Sequence, residues 1–432
     1  MTPSAKAVTT KEGELSMNSK HQYAAAFVLL SLAATPSEGL RAFLSSAMGS
    51  GDLGSWPQAG SAIGIDAGDA ICVSLAQSAG LSSPTSYRAW LSDSASDAYC
   101  RVHGLFGKVA DDCGQATLPA AAGPWFLIEG AQPRIFAAQI PLLLSPHYQV
   151  FTPAQVLETG AAVVQDEYWT GTKQDGTYDE GFGNACADWT SGDSGDQASI
   201  GSTAGTGASW TDAGGSGHTC SLQQRLLCMQ AASAAPVGPS AFYSWGRLAF
   251  HSSATGSGRL QTWPQANGLA GLAAGDQICR TLAVGAGLPH PESFKAWLST
   301  ATVDARDRFQ HDGPWIRPDR TRIASNIAQL THGFLNTSLN VNELGDYGGG
   351  SYAWTGTTLF GTVDENHCAG WTSASSGLYG GRGYYTDANA QWTDEPGLRN
   401  CSFAESIYCL QDLPLIFGDG FEAGSTITWT LP

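Results

Sequence analysis

The feature that most constrains the fold is an internal repeat, because the chain contains one pattern of residues twice. The first copy includes FLSSAMGSGDLGSWPQAGSAIGIDAGDAICVSLAQSAGL from Phe43, and the second includes FHSSATGSGRLQTWPQANGLAGLAAGDQICRTLAVGAGL from Phe250. Within this block a tryptophan and a cysteine are 16 positions apart in each copy, at Trp56–Cys72 and at Trp263–Cys279. A repeat of this length predicts two related domains in tandem, each with its own core.

The later part of each copy also repeats. CADWTS begins at Cys186 and CAGWTS begins at Cys368, and each cysteine lies 24 positions before the tryptophan of a WTD tripeptide. Copy one is longer because segment 93–120 is inserted, and this segment holds Cys100 and Cys113, which have no counterparts in copy two. We therefore expect these two cysteines to pair with each other as a local staple.

The repeat sets the expected domain boundaries. The first domain spans residues 40–230 and the second spans residues 243–411. Between them, residues 231–242 are small, polar and Pro-containing, as is typical of a linker. Residues 412–432 form a C-terminal tail that has no match after the first copy.

The N-terminal region resembles a secretion signal. Residues 17–39 contain a short polar stretch, an apolar run and small residues suited to cleavage. Residues 1–16 are interpreted as an upstream extension, with Met17 as the true start, and the alternative is a buried N-terminal helix. An even count of ten cysteines behind such a signal favours disulfides and a secreted or cell-surface protein.

Composition excludes some classes of function. The net charge is -17 with only 21 Lys and Arg residues, so binding to nucleic acid is not expected. The apolar run near the N-terminus is too short to cross a bilayer as a stable helix, and no other segment approaches that length, so no membrane span is expected.

Local patterns predict one long helix early in each copy. Asp69 is placed as an N-cap and Gly80 as the end of the first, and Asp276 and Gly287 repeat these positions. A second short helix is expected at 86–91, and again at 293–298. The remainder is rich in Gly, Thr, Ser, Asn and Asp, which favours short strands and long loops. Each copy is therefore expected to be α+β, with helices early and strands late.

The combined motifs resemble the endostatin-like branch of the C-type lectin fold. YWTGTKQDGTYDEGFGNACADW and AWTGTTLFGTVDENHCAGW resemble a segment of endostatin, the C-terminal domain of some collagens. GLAGLAAGDQICRTLA resembles a bacterial domain of unknown function that occurs in leptospiral endostatin-like outer-membrane proteins. The resemblance covers nearly all of both copies.

This resemblance implies two tandem α+β domains, each with a small twisted antiparallel sheet, two helices and long loops. It also implies nested disulfides, with the first of the four shared cysteines joined to the last and the second to the third. In this chain the implied pairs are Cys72–Cys228 with Cys186–Cys220, and Cys279–Cys409 with Cys368–Cys401.

Duplication also filters catalytic candidates, since a catalytic set needed by both copies should occur in both. The histidines fail this test, because His251 aligns with Leu44 and His367 with Ala185. No Ser/His/Asp or Cys/His arrangement recurs, and no nucleotide-binding loop or zinc-protease motif is present. We therefore expect a protein that is not an enzyme, and an extracellular hydrolase with a site private to one copy is the alternative.

Calcium binding is a further alternative, because Ca²⁺ takes oxygen ligands from carboxylates and amides. In the C-type lectin fold, the loop before Cys368 and the residues after Trp392 would lie near each other. The candidate metal ligands are Asp364, Glu365, Asn366, Asp394 and Glu395. A calcium-dependent carbohydrate-binding lectin would use them, whereas the simpler interpretation is that Asp394 and its counterpart Asp212 cap turns.

A segment specific to copy two offers a candidate binding surface. YGGRGYYTD places Tyr379, Arg382, Tyr384 and Tyr385 on what reads as a Gly-rich loop, and such side chains are typical of binding sites. The alternative is a solvated loop with incidental tyrosines. Our hypothesis from the sequence is a non-catalytic binding or adhesion protein that recognises an extracellular protein or glycan.

Overall fold

The computed structural model describes residues 39–128, 134–214, 217–231 and 245–414. All of them belong to one compact unit, Gly39–Pro432. The extension 1–16 and almost all of the expected signal peptide, linker and tail lie outside the described residues. Within the part that is described, no helix is long and apolar enough to cross a membrane.

Each copy builds its own set of strands. Those of copy one are β1 Leu40–Leu44, β2 Tyr87–Ala89, β3 Trp125–Leu127, β4 Ile135–Ala137, β5 Glu167–Trp169, β6 Gln197–Ala198, β7 Ile200–Ser202, β8 His218–Thr219 and β9 Arg225–Gln230. Those of copy two are β10 Arg247–His251, β11 Phe294–Ala296, β12 Trp315–Ile316, β13 Arg322–Ala324, β14 Tyr352–Trp354, β15 Tyr379–Gly380, β16 Arg382–Tyr384, β17 Arg399–Asn400 and β18 Ser406–Gln411.

In the described residues, each copy forms one seven-stranded sheet. The order in copy one is β4-β3-β1-β9-β5-β7 with β2 also on β9, and copy two repeats it as β13-β12-β10-β18-β14-β16 with β11 on β18. The first and last strands of each copy pair antiparallel, with Phe43 opposite Cys228 and Phe250 opposite Cys409. Because β1–β3 and β5–β9 pair in parallel, the sheet is mixed and larger than the small antiparallel sheet predicted. A strand also precedes the long helix, so the order of helices early and strands late is only partly right.

The described residues contain few helices, and two of these helices are long. In copy one they are α1 Gly64–Ser78, α2 Ala98–Arg101, α3 Ile140–Leu143 and α4 Ala185–Trp189. In copy two they are α5 Gly271–Gly285, α6 Ile327–Leu330 and α7 Cys368–Trp371. The protein is therefore α+β, as predicted, with two sheet-rich halves.

The predicted N-cap of the long helix is wrong. The helix begins at Gly64, five residues before Asp69. Instead of capping, the Asp69 carboxylate accepts a hydrogen bond from the backbone N–H of Ala89 at 2.9 Å and pairs with Arg101 at 2.5 Å. Asp276 does the same with Ala296 at 2.9 Å. This shared acid ties the long helix to the strand that follows it.

The predicted second helix is also wrong, because residues 87–89 and 294–296 are strands. Tyr87 and Ala89 are buried whereas Arg88 is half-exposed, which is the two-residue alternation of a strand. The segment pairs antiparallel with β9, where Tyr87 lies opposite Gln230. Pairing with a buried strand therefore overrides the local preference for a helix.

The ten cysteines form five disulfides, which join the pairs that the resemblance implies and the local pair of the insertion. They are Cys72–Cys228, Cys100–Cys113, Cys186–Cys220, Cys279–Cys409 and Cys368–Cys401. The bridge from α1 to β9 spans 156 positions. In the chain-entropy account a loop of that size destabilises the unfolded state by roughly 5 kcal/mol.

The turns at CADW and CAGW are left-handed. In copy one φ is positive at every residue from Ala185 to Trp189, which costs roughly 1–2 kcal/mol per non-glycine residue. The buried Trp189 anchors this turn, since its indole N–H donates to the carbonyl of Ser92 at 2.9 Å. A Cβ on Gly64 would lie 3.1 Å from the carbonyl of Asp188, so the glycine lets the helix begin against the turn.

Each sheet is buried on both faces. Leu227 and Met229 of β9 pack in the cluster that contains α2 and α3, whereas Leu226 and Cys228 pack in the cluster that contains α1. The tryptophans that repeat between the copies are fully buried, as expected from their fixed spacing. They are Trp90, Trp169, Trp189 and Trp210 in copy one, and Trp297, Trp354, Trp371 and Trp392 in copy two.

The WTD tripeptide is part of this core in both copies. The rings of Trp90 and Trp210 lie 5.0 Å apart, and the indole N–H of Trp90 donates to the hydroxyl of Thr211 at 2.8 Å. In copy two the indole of Trp297 donates to Thr393 at 2.9 Å. The tryptophan and threonine of the tripeptide are therefore packing residues.

The two copies contact each other through equivalent residues, in both directions. The backbone N–H of Thr206 donates to the carbonyl of Thr386 at 2.9 Å, and that of Ala388 donates to the carbonyl of Ala204 at 3.0 Å. Counted from the WTD tryptophans, Thr206 is equivalent to Ala388, and Ala204 is equivalent to Thr386. Reciprocal contacts of this kind are the mark of an approximate two-fold axis.

An arginine from each copy extends this relation. Arg134 donates to the carbonyl of Asn336 at 3.4 Å, and Arg317 donates to the carbonyl of Phe151 at 3.2 Å. The two carbonyls belong to equivalent positions of the repeat. The copies are therefore joined by directed hydrogen bonds as well as by apolar contact.

Arg317 is fully buried at this contact. Its guanidinium pairs with Asp319 at 2.6 Å, donates to the amide oxygen of Asn340, and reaches the carbonyl of Val150 in copy one at 3.4 Å. Burial alone would raise the pKa of Asp319, but the charge of Arg317 and its hydrogen bonds, with one from Tyr347, bring that pKa below its ordinary value. Arg317 thus neutralises a buried carboxylate while it links the copies.

We predict that Arg317→Met lowers the free energy of unfolding by about 3 to 5 kcal/mol, because it leaves Asp319 buried without its counter-charge. Urea denaturation monitored by tryptophan fluorescence measures the loss. Arg320→Gln, which removes an exposed positive charge three residues away, is the matched control and should change stability little. Equal losses in the two variants would contradict the role given to Arg317.

Candidate functional site

A cleft of about 590 Å³ opens where the two copies meet. Copy one lines it with the beginning of β5, the end of β7 and residues 208–214 around the WTD turn. Copy two lines it with the beginning of β14, the end of β16 and residues between 387 and 395. The volume lies within the range of small-ligand sites in proteins.

The walls of the cleft come from equivalent positions that carry different side chains. In copy one Glu167 lies opposite Ser202 across the sheet, and in copy two Tyr352 lies opposite Tyr384 at the same positions. Two further equivalent pairs line the cleft, Ser209 with Gln391 and Ala213 with Glu395. The frame is shared but its surface has diverged, so the cleft is asymmetric.

The cleft is acidic. The carboxylates that line it are Asp166, Glu167, Asp212, Asp387 and Glu395, and none of the described lining residues is Lys, Arg or His. Arginines behind the wall neutralise two of the carboxylates, since Arg225 pairs with Asp166 at 2.7 Å and Arg382 pairs with Glu395 at 2.8 Å. The other three have no arginine or lysine partner among the described residues.

Two of those three carboxylates have other partners. The side-chain amide of Gln174 donates to Asp212 at 3.3 Å, and the backbone N–H of Gly214 donates to the same carboxylate at 3.2 Å. Burial, with the nearby charge of Asp179, raises the pKa of Asp212. Glu167 lies 3.3 Å from the imidazole of His218. The fifth carboxylate, Asp387, is different.

Asp387 is a buried carboxylate without a donor. It is 7% exposed and lines the cleft, and among the described residues no group donates a hydrogen bond to its side chain. It stands where the copies touch, paired across their contact with Gly205, its own equivalent in copy one. Burial, with the nearby charge of Glu395, raises its pKa to about 7.

The four residues predicted to form a binding loop are dispersed. Tyr379 and Arg382 lie in the short strands β15 and β16, so the segment is not a mobile Gly-rich loop. Tyr379 is 45% exposed but does not line the cleft, and Tyr385 is buried with its ring stacked on His251 at 4.1 Å. Of the four, Tyr384 alone lines the cleft, while Arg382 stands behind its wall.

Three of the five predicted calcium ligands, Asp364, Asp394 and Glu395, have partners within the protein. Among the described residues no group of three or more His, Cys, Asp or Glu side chains is placed to hold a metal ion. Asp364 accepts from the backbone N–H of Asn366 at 3.0 Å, and Asp394 accepts from that of Leu359 at 2.9 Å. Glu395 pairs with Arg382 instead. The bond of Asp364 is local and stabilises its own turn. The bond of Asp394 instead ties the WTD turn to a distant loop at Leu359.

Sequence reasoning missed the residue that distinguishes the cleft. Asp387 ends the YYTD run whose tyrosines were singled out, and its counterpart in copy one is Gly205. Aligning the two copies residue by residue from the WTD tripeptide would have shown this difference. It places Asp387 of copy two opposite a glycine, Gly205, in copy one. Asp166 and Glu167, just before the repeated tryptophan of β5, were missed in the same way.

No protein-family model matches the chain, and no curated protein matches it significantly. The function proposed below is therefore based on the cleft and on the relation between the two copies.

We predict that Asp387→Asn stabilises the protein at pH 8 and has little effect at pH 4. Between the ordinary pKa of an Asp and about 7, the folded state keeps a proton on Asp387 that the unfolded state has released. The free energy of unfolding therefore falls as pH rises through this window, by about 4 kcal/mol in total, and the amide removes that loss.

Urea denaturation of both proteins at pH 4, 6 and 8 measures this difference. Asp394→Asn is the matched control, because its carboxylate already accepts a backbone hydrogen bond, and it should give no gain that grows with pH. A gain from Asp387→Asn that is the same at pH 4 and pH 8 would show that ionisation of Asp387 is not its cause.

Proposed function

We propose that the protein is an exported, non-catalytic binding protein in which two endostatin-like domains of the C-type lectin fold hold one ligand site between them. The observation that carries the proposal is the cleft at the contact of the copies, lined from both sides and containing the unpartnered carboxylate of Asp387. The ligand belongs to an extracellular protein or glycan.

The disulfides support both the family and the compartment. Their nested pairing is the one that the endostatin-like resemblance implies, and it recurs in both copies. Five disulfides in a chain with no free cysteine among its described residues are typical of an oxidising environment outside the cytosol. This supports a secreted or cell-surface protein.

The distribution of shared and private residues supports binding over catalysis. Residues present in both copies are structural, such as the WTD tryptophan and threonine and the acid that joins helix to strand. The side chains that distinguish the cleft occur in one copy only, on a frame fixed by reciprocal hydrogen bonds. A rigid frame with a specialised surface is the usual basis of a recognition site.

The calcium-dependent lectin receives less support from the geometry. That function needs several oxygens directed at one point. Here Asp394 accepts a hydrogen bond from a backbone N–H, and Glu395 forms a salt bridge with Arg382. The open cleft needs no such cluster to accept a ligand, so we place recognition there.

We predict that filling the cleft weakens binding. Gln391→Trp puts a bulky side chain on its wall, and Gln77→Trp, on the exposed side of α1, is the matched control. The wild-type protein and both variants are applied to an array of glycans and an array of extracellular-matrix proteins. Ligands bound by the wild type should lose at least about tenfold in affinity with Gln391→Trp, and be kept by Gln77→Trp.

Two outcomes would contradict the proposal. Ligands that bind Gln391→Trp as tightly as the wild type would place the site elsewhere on the protein. An absence of ligands on both arrays would argue against recognition of extracellular glycans and matrix proteins.

A further inference from the structure

We infer that the cleft between the copies binds a cationic side chain, the ammonium of a lysine or the guanidinium of an arginine on a protein partner, and that Asp387 is its anchor. This inference rests on the proposed function, because it names the ligand of the same site.

The charge of the cleft favours a cation. Its five carboxylates face no lysine, arginine or histidine among the described lining residues. Arg225 and Arg382 neutralise two of the carboxylates from behind, and Glu167 lies beside His218, so Asp212 and Asp387 have no basic partner among the described residues. A cleft lined by one sign of charge concentrates ligands of the opposite sign, and the net charge of -17 acts in the same direction.

Asp387 supplies what an acidic cluster alone does not, a buried polar group that the protein leaves unsatisfied. A carboxylate taken out of water without hydrogen bonds is unfavourable, and nearly all such groups in folded proteins have partners. The described residues offer this carboxylate no donor, and its side chain, which is only 7% exposed, lines the cleft. A ligand that brings N–H donors and a positive charge satisfies it.

The tyrosines favour a basic peptide over a glycan. A sugar ring is held by stacking on an open aromatic face, but one face of Tyr352 is covered by the guanidinium of Arg382, 3.6 Å from its ring centre. The ring of Tyr384 packs against Tyr352 at 5.0 Å. The ring of Tyr352 already holds one guanidinium, as aromatic rings do for cations generally.

Binding of a cation requires Asp387 to ionise, so affinity depends on pH. The groups that face Asp387 are Glu395 after the WTD turn, Tyr384 at the end of β16 and Tyr408 on β18, while residues 204–206 of copy one carry no titratable group. Burial raises the pKa of both tyrosines, which therefore stay neutral. Burial lowers the pKa of the nearby His251 to about 4, so it also stays neutral above pH 5.5.

The test uses fluorescent (Gly-Lys)₄ peptide on the full-length protein, with the same peptide bearing acetylated lysines to remove its charge. Wild type should bind the first and not the second. Asp387→Asn should weaken binding at pH 8 at least about tenfold, whereas Asp193→Asn, which removes an exposed charge outside the cleft, should not. Wild-type affinity should rise about tenfold from pH 6 to pH 8, and the Asp387→Asn affinity should stay nearly constant.

A glycan could also supply the cation. We therefore test a tetramer of glucosamine, which carries ammonium groups on sugar rings, in parallel with the lysine peptide. Binding of that tetramer without binding of the lysine peptide would overturn the protein partner, and equal binding by Asp387→Asn and wild type would overturn the anchor. A third outcome is that no cationic probe binds, although the wild type binds ligands on the arrays and Gln391→Trp does not. In that case this inference fails and the proposed function stands. If the array ligands fail as well, both fall.

Discussion

The structure depends on the antiparallel pairing of the first and last strands of each copy. In copy one, β9 pairs with β1 along one edge and with β2 and β5 along the other, so a single strand collects the distant parts of the chain. Cys228 on β9 is joined to α1 by a disulfide, and β5, which pairs with β9, begins at the cleft. Copy two repeats the arrangement around β18. Two of the strands that line the cleft, β5 and β14, therefore pair directly with the central strands β9 and β18.

Repetition made much of this fold predictable, because each pattern could be checked against its twin. The long helices, the buried tryptophans and the α+β class follow from spacing and periodicity. The three-residue strand at Tyr87 could not, since it is specified by pairing with β9 more than by its own residues. Asp69 was misplaced for a similar reason, because its partners Ala89 and Arg101 belong to later segments.

The cleft was beyond sequence reasoning for a different reason. It depends on how one copy sits against the other, and the contact of Gly205 with Asp387 joins two copies that the repeat describes only one at a time. The YYTD run drew attention for its aromatic side chains, yet Tyr385 serves the core. The duplication does separate two kinds of position. Residues shared by both copies form the core and the sheet, and residues that differ between the copies line the cleft.

The reciprocal contact between the copies has a thermodynamic consequence. A ligand held by residues of both copies would bind only while the copies are in contact, so it would strengthen that contact by as much free energy as the contact contributes to its binding. Such a ligand would act as a cross-link between the copies, and a force that separates the copies would also release it. Mechanical or chemical disruption of the contact would therefore lower the affinity of the protein for that ligand.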